Sequence, residues 1–264
     1  MTRSPGLKIG RILGIPIYLH PSWFIIFALI TFSLATQLAS QHPRWTQTQH
    51  WSIGVLTSLL FFASVLFHEL GHSVIALRYK IPVVSITLFV FGGLARIGRE
   101  PDSARQEFNI AIAGPLASYV LAGGFLLLTR VFPSSEMLGA LAGWLGWINL
   151  SLATFNLAPV FPLDGGRILR AIVWGLTGDY TRATRFASRG GELLAYLMIV
   201  IGIWEALTGR FTSGLWLAFI GWFLLTAAQE TYAQVAIRGA LRGLHAADIM
   251  SEEGLPLTSQ RPAD

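Results

Sequence analysis

The chain contains six apolar segments, most of them near the length of about 20 residues that an α-helix needs to cross a bilayer. They cover residues 23–38, 52–77, 110–128, 138–161, 193–207 and 215–228. The fifth, at 15 residues, is short for a full crossing. Charged residues make up only 12% of the 264 residues, whereas a soluble globular domain carries about 25%. The sequence therefore predicts an all-α polytopic membrane protein with about six transmembrane helices, and excludes an ordinary cytosolic enzyme.

The basic residues are distributed unevenly between the two sides of the predicted bundle. Of 19 lysines and arginines, sixteen fall on the side that carries both termini, and only Arg44, Arg130 and Arg210 fall on the other. Because cytoplasmic loops are enriched in Lys and Arg, we expect both termini to face the cytoplasm. This segregation also accounts for the pI near 10.0, so no nucleic-acid partner is expected.

The second apolar segment contains three ionisable residues, His68, Glu69 and His72. Ionisable groups inside a membrane span are costly and mark functional sites. The i, i+4 spacing places both imidazoles on one helix face, where they can bind one Zn²⁺, and Glu69 lies beside that face as a candidate general base. The alternative is a pair of histidines hydrogen-bonded to neighbouring helices beside a structural carboxylate.

A zinc site usually has three protein ligands, and the chain has no cysteine. Asp164 is the best placed third ligand, because it follows Pro159 and Pro162, which end or break the fourth apolar helix. His68 lies ten residues before Arg78, about 15 Å from the cytoplasmic end of its helix, a depth that an unwound fourth span can reach. On spacing alone, an ordinary Pro-Leu-Asp-Gly turn explains Asp164 equally well.

At this point the sequence resembles a known family. The strings His68-Glu69-Leu70-Gly71-His72 and Asn156…Pro162-Leu163-Asp164-Gly165 are similar to the paired motifs of the site-2 protease family, the intramembrane zinc metalloproteases. Further similar strings are residues 14–23, Phe91-Gly92-Gly93 and Ala113-Gly114-Pro115-Leu116. The six-span plan with short loops most resembles the subgroup that often carries C-terminal cystathionine-β-synthase-type domains.

The resemblance implies one zinc ion per chain, held by His68, His72 and Asp164, with Glu69 as the catalytic general base. Asn156 matches a family asparagine near the reacting carbonyl, where it would position substrate or stabilise the oxyanion. Its alternative role is an interhelical hydrogen bond. The implied activity is hydrolysis of peptide bonds within or near the transmembrane segment of single-span membrane proteins (regulated intramembrane proteolysis). The implied location is the cell membrane of a bacterium or archaeon, with the active site toward the cytoplasm.

Residues 81–97 show a period-2 pattern that predicts a β-hairpin at membrane depth, with Gly92-Gly93 as its turn. Residues 8–19 are expected to add to this small membrane-associated sheet. An exposed strand edge could take up an extended substrate, which makes Leu88, Gly92 and Gly93 candidate substrate-contacting residues. The alternative is a purely structural re-entrant hairpin.

Two departures from the family pattern concern Ser118 and the C-terminus. Ser118 stands where the family's third-span motif usually has Asn, which affects a local helix contact. We expect residues 1–243 to form the protease domain, and residues 244–264 resemble the start of a cystathionine-β-synthase-type domain.

Two other classes of function remain as alternatives. One is a divalent-metal transporter that uses the His-Glu-His cluster as a transit site, and it requires further ligands toward the outer face. The other is an inactive scaffold, which loss of Glu69 or of a ligand would favour, and none is lost. The residues leave open whether the protein works alone or as a homodimer.

Overall fold

The computed structural model describes residues 6–241, so the tail similar to a cystathionine-β-synthase-type domain, residues 244–264, lies outside the described residues. In chain order the elements are β1 (Leu7–Ile12), β2 (Ile15–Leu19), α1 (Pro21–Gln41), α2 (Gln47–Arg78), β3 (Val83–Phe89), β4 (Gly92–Ile97), α3 (Ala104–Val131), α4 (Glu136–Asn156), α5 (Asp164–Thr177), α6 (Tyr180–Leu207) and α7 (Phe211–Leu241).

Six of these helices are long and apolar enough to cross a membrane, which confirms the predicted fold class. The crossing segments are Pro21–Gln41, Gln47–Arg78, Ala104–Val131, Glu136–Asn156, Tyr180–Leu207 and Phe211–Glu230. Local signals fix where several of them begin. His20 caps α1 by accepting from the Ser22 N–H at 3.2 Å, and Thr46 with Gln49 forms a reciprocal capping box on α2.

The region after α4 differs from the expectation. The fourth crossing ends at Asn156 instead of residue 161, and a separate helix, α5, follows the break. The fifth crossing begins at Tyr180, so it is 28 residues long instead of 15. The first turns of α6 contain Arg182, Arg185 and Arg189, so this part of the helix is not included in the apolar segment predicted from the sequence. Likewise, α5 is strongly amphipathic, so a search for continuous apolar residues does not find it.

The four strands form one sheet in the order β1-β2-β3-β4, with β2 parallel to β3 and the other pairs antiparallel. The predicted turn is shifted: Val90 and Phe91 form the turn, and Gly92 and Gly93 are the first residues of β4. Gly92 has φ +125°, a left-handed conformation that favours glycine at this point. Leu88 lies in β3, one of the two inner strands, where it is buried against Trp23 and Phe62.

A buried ion pair joins α5 to α3. The Arg170 Nε donates to Glu107 Oε1 at 2.8 Å, and Nη2 donates to the same oxygen. Glu107 is fully buried, and the Arg170 guanidinium lies over the rings of Phe161 and Tyr180, 4.9 and 4.7 Å from their centroids. These contacts fix the position of α5 in the bundle.

Replacing Arg170 with Met should lower the free energy of unfolding by about 3–5 kcal/mol, because it leaves the Glu107 carboxylate buried without its cation. The matched control is Arg99→Met, since Arg99 pairs with Asp102 on the surface and exposed pairs contribute about 0–1 kcal/mol. Denaturation in mild detergent measures both. Equal stability of the two variants would contradict the assigned importance of the buried pair.

Candidate metal centre and active site

Three side chains from two helices converge on one point. The Asp164 Oδ2 lies 3.0 Å from His68 Nε2 and 3.2 Å from His72 Nε2, and the two Nε2 atoms are 3.2 Å apart. Both imidazoles are buried. Within residues 6–241 this is the only group of three such residues whose potential ligand atoms converge in this way. The set of two imidazoles and one carboxylate is one that zinc sites use.

The His72 ring is held in one tautomer. Its Nδ1 lies 2.7 Å from the Ile110 carbonyl oxygen, and because a carbonyl only accepts, Nδ1 must carry the proton. In a neutral imidazole, Nε2 then has a free lone pair. That lone pair and the Asp164 carboxylate oxygen are both acceptors directed at the same point, an arrangement that a cation satisfies. The residues present therefore fit a bound metal ion.

The His68 ring has its own outer partner, the Ser118 hydroxyl, whose Oγ is 2.9 Å from Nδ1. Such hydrogen bonds orient metal ligands and raise their basicity. Ser118, which stands where the family usually has Asn, thus still provides a polar partner for His68. On the same helix, a Cβ at Gly114 would overlap both imidazoles, so α3 can approach the two histidines only with glycine there.

Asp164 is the first residue of α5, outside the six crossing segments. A Cβ on Gly165 or Gly166 would overlap the backbone of the preceding loop, residues 157–161, so both glycines are needed for the tight return that brings Asp164 to the histidines. Burial raises the pKa of the Asp164 carboxyl, but the neighbouring His72 and His68 imidazoles outweigh it and hold the pKa below its ordinary value.

Glu69 is positioned by the sheet. Its Oε2 accepts a hydrogen bond from the Ala95 N–H of β4 at 3.1 Å. A Cβ at Gly93 would overlap the Glu69 side chain, so the absence of a side chain at this position lets β4 pack against the carboxylate. The unpaired edge of β4 thus lies directly beside Glu69.

The three converging residues and Glu69 line one cavity of about 620 Å³. Asn156, Gly92 and Gly93 also line it, so the structure brings these predicted residues to the site. Leu88 does not line it, because it is buried in the core of the sheet. Most of the wall is apolar, contributed by α1, α2, α4, α7 and the hairpin.

Sequence reasoning missed several residues at or around this site. The contact of His72 with the Ile110 carbonyl involves a backbone atom, so no residue type indicates it. The Glu107–Arg170 ion pair is not predicted either, although a lone carboxylate beside a membrane span needs a partner. Arg167 lines the cavity, but from the sequence it contributes only to the count of basic residues on each side of the membrane. Its spacing from Asp164, one helical turn, was the signal that could have identified it.

Comparison with known proteins identifies the family. The family model described as peptidase family M50 matches residues 56–135 and 133–200. The chain belongs to peptidase family M50. Its fold is similar to the solved site-2 protease of Methanocaldococcus jannaschii, with TM-score 0.56 and 31% identity over 86% of this chain and 95% of that one.

Several curated relatives of this M50 chain carry zinc metalloprotease names. A candidate zinc metalloprotease of Synechocystis is 42% identical over 92% of this chain, and Rip3, a candidate zinc metalloprotease of Mycobacterium tuberculosis, is 37% identical over 94%. The chain spans 64% of the length of both relatives. A zinc metalloprotease of Methanocaldococcus jannaschii is 31% identical over 96% of this chain and 68% of its own length. Zinc is therefore the cofactor that the His68, His72 and Asp164 group fits.

Replacing Ser118 with Ala should weaken zinc binding by about 10- to 100-fold, because His68 loses the hydrogen bond that orients it. Competition with a chelator on the purified protein measures the affinity. Ser64→Ala is the matched control, since Ser64 lies on the same helix as His68 but its hydroxyl donates only to the Leu60 carbonyl. Unchanged affinity in Ser118→Ala would show that this hydrogen bond does not orient the ligand.

Proposed function

We propose that this M50 protein is an intramembrane zinc metalloendopeptidase that cleaves single-span membrane proteins within or near their transmembrane segment. The observation that carries the proposal is the placement of the three ligands and Glu69 on one cavity among the spanning helices. A peptide bond in a membrane helix is shielded from water. A cavity that combines a metal site with a carboxylate at this depth provides the chemistry that such a bond requires.

The residues divide the hydrolysis among them. Zinc, when bound, supplies a Lewis acid that makes water a nucleophile near neutral pH. Glu69 accepts a proton from the attacking water as its oxygen bonds to the carbonyl carbon, and then delivers that proton to the leaving nitrogen as the C–N bond breaks. Asn156 lines the same cavity, where its amide can hydrogen-bond the carbonyl oxygen. The products are a carboxylate and an amine.

The substrate is proposed to bind as an extended segment along the free edge of β4. Strand addition provides hydrogen-bond partners for the backbone N–H and C=O groups of an unwound helix. The edge of β4 lies beside Glu69, because the Ala95 N–H on this edge donates to the Glu69 carboxylate. Gly92 and Gly93 leave room for a close backbone approach, and the apolar wall suits transmembrane side chains. Leu88 supports this edge from the neighbouring inner strand β3 instead of contacting substrate.

The orientation follows from the basic residues. We propose that both termini and the active site face the cytoplasm of a bacterial or archaeal cell membrane, because sixteen of the 19 basic residues lie on that side. Residues 1–243 are proposed as the protease domain. Residues 244–264 are proposed as the start of a cystathionine-β-synthase-type domain, as in the subgroup that the chain resembles.

The metal-transporter alternative is less well supported. It requires a series of ligand groups across the membrane, and the part of the chain between residues 6 and 241 contains one such group. The carboxylate of Glu69 lies beside this group of His68, His72 and Asp164 but is not part of it. A transporter has no need of a separate base next to a complete ligand set.

Replacing Glu69 with Gln should reduce cleavage of a single-span reporter in liposomes by about 10²- to 10⁴-fold, because the general base is lost. Zinc content should remain that of the wild type, since Glu69 is not a ligand. Equal cleavage by both proteins would contradict the role of Glu69. Absence of cleavage by the wild type with zinc bound would count against the protease assignment, and a metal-flux assay on the same liposomes would then test the transporter.

Replacing Gly93 with Ala should also lower the cleavage rate while zinc remains bound, because the added Cβ displaces the Glu69 carboxylate from its position beside β4. The control is Gly123→Ala, where a Cβ meets no atom within 4 Å. Rate and zinc content are measured on both variants. A Gly93→Ala protein as active as Gly123→Ala would mean that the hairpin does not position the base.

A further inference from the structure

Six side chains with an imidazole, carboxylate, amide or guanidinium group line the catalytic cavity. Five of them already have a role: the three ligands, Glu69 and Asn156. The sixth is Arg167, the only lysine or arginine among the cavity-lining residues that the structure describes. The mechanism above does not use it.

Arg167 is fixed close to the metal ligands by its helix. It follows Asp164 by three residues on α5, which places the two side chains on neighbouring positions of one helix face, with Cβ atoms about 5–6 Å apart. The charge of Arg167 also acts electrostatically on His72. Because the Arg170–Glu107 pair holds α5 against α3, the base of the Arg167 side chain has a defined position.

Arg167 differs from the arginines near it because its guanidinium has no partner among the described side chains. Arg170 pairs with Glu107, and Arg182 pairs with Asp179 at 3.0 Å. The Arg167 backbone N–H donates to the Leu163 carbonyl at 3.4 Å, but its guanidinium forms no hydrogen bond or ion pair with any side chain that the structure describes. A half-buried cation in a mainly apolar cavity is costly unless an anionic or strongly accepting group meets it. The Glu69 and Asp164 carboxylates line the same cavity but form no ion pair with Arg167, so its N–H groups remain available to an accepting group on the substrate.

We propose that Arg167 is a further catalytic residue, which donates N–H groups to the scissile carbonyl oxygen as negative charge develops on it. This inference rests on the proposed protease function. The charge appears when the water oxygen bonds to the carbonyl carbon and Glu69 takes the proton, and it disappears when the C–N bond breaks and the nitrogen receives that proton. Arg167 and Asn156 together supply the preorganised donors for this oxygen, and the planar guanidinium presents several donors in a fixed arrangement.

The test compares Arg167→Gln, Arg167→Lys and the control Arg182→Gln, each loaded with zinc in liposomes. For Arg167→Gln we expect kcat for a single-span reporter to fall by about 10²- to 10³-fold, the usual effect of losing one oxyanion donor, with little change in KM and full zinc content. Arg167→Lys keeps the charge without the planar donors and should lie between Gln and wild type. Arg182→Gln should match the wild type.

A second readout does not depend on turnover. A phosphonamidate peptide with the sequence around the reporter's cut site mimics the charged intermediate. Its affinity for Arg167→Gln should fall by the same factor as kcat. Binding of the uncleaved reporter in a Glu69→Gln background should stay unchanged when Arg167→Gln is added.

The outcomes separate this inference from the proposed function. Wild-type kcat and analogue affinity in Arg167→Gln would overturn the role of Arg167 and leave the protease assignment standing. A raised KM with normal kcat, or loss of zinc, would also overturn it, because Arg167 would then act in substrate binding or in the metal site. Failure of the wild type itself to cleave the reporter would remove the proposed function, and the inference with it. If Arg167→Gln does not fold, Arg167→Lys decides on the same criteria.

Discussion

Ionisable groups inside a membrane must find partners within the protein, because the hydrocarbon core offers none. In this bundle, one face of α3 supplies partners for both histidines and for Arg170. Glu107, Ile110, Gly114 and Ser118 follow one another at intervals of three, four and four residues, so they lie along a single stripe of the helix. Ile110 and Ser118 orient the two histidines, Gly114 gives them space, and Glu107 holds the helix that carries Asp164.

This arrangement divides the site between a fixed frame and attached parts. The histidines on α2 and their partners on α3 form the frame, and α5 is a separate short helix whose first residue, Asp164, completes the group of three converging side chains. The sheet contacts Glu69, which α2 also carries, through the Ala95 N–H. Contacts from α3, α5 and the sheet therefore meet around the α2 side chains. Each contact depends on a glycine or on a buried polar group to come close enough.

The sequence was most informative where membrane burial makes a residue type improbable. His68, Glu69 and His72 could be identified because ionisable residues rarely occur within a span, and Asp164 because prolines interrupt the preceding helix. The amphipathic helix α5 escaped notice, since its apolar residues are not consecutive. The hairpin turn was placed two residues too late, because glycine was read as turn chemistry when its purpose at Gly93 is to make room for Glu69. Contacts such as His72 with the Ile110 carbonyl depend on backbone position, which residue types do not encode.

The parallel pairing of β2 with β3 has a consequence for assembly. These strands are separated in sequence by α1 and α2, two complete crossings of the membrane, yet Ile17 is in register with Ile86. They can meet only if both helices have inserted and returned the chain to its starting side. A chain in which either helix failed to insert would leave β3 and β4 without β2, and the strand that carries the Ala95 contact to Glu69 would lose its support. The complete sheet can therefore form only after α1 and α2 have both inserted into the membrane.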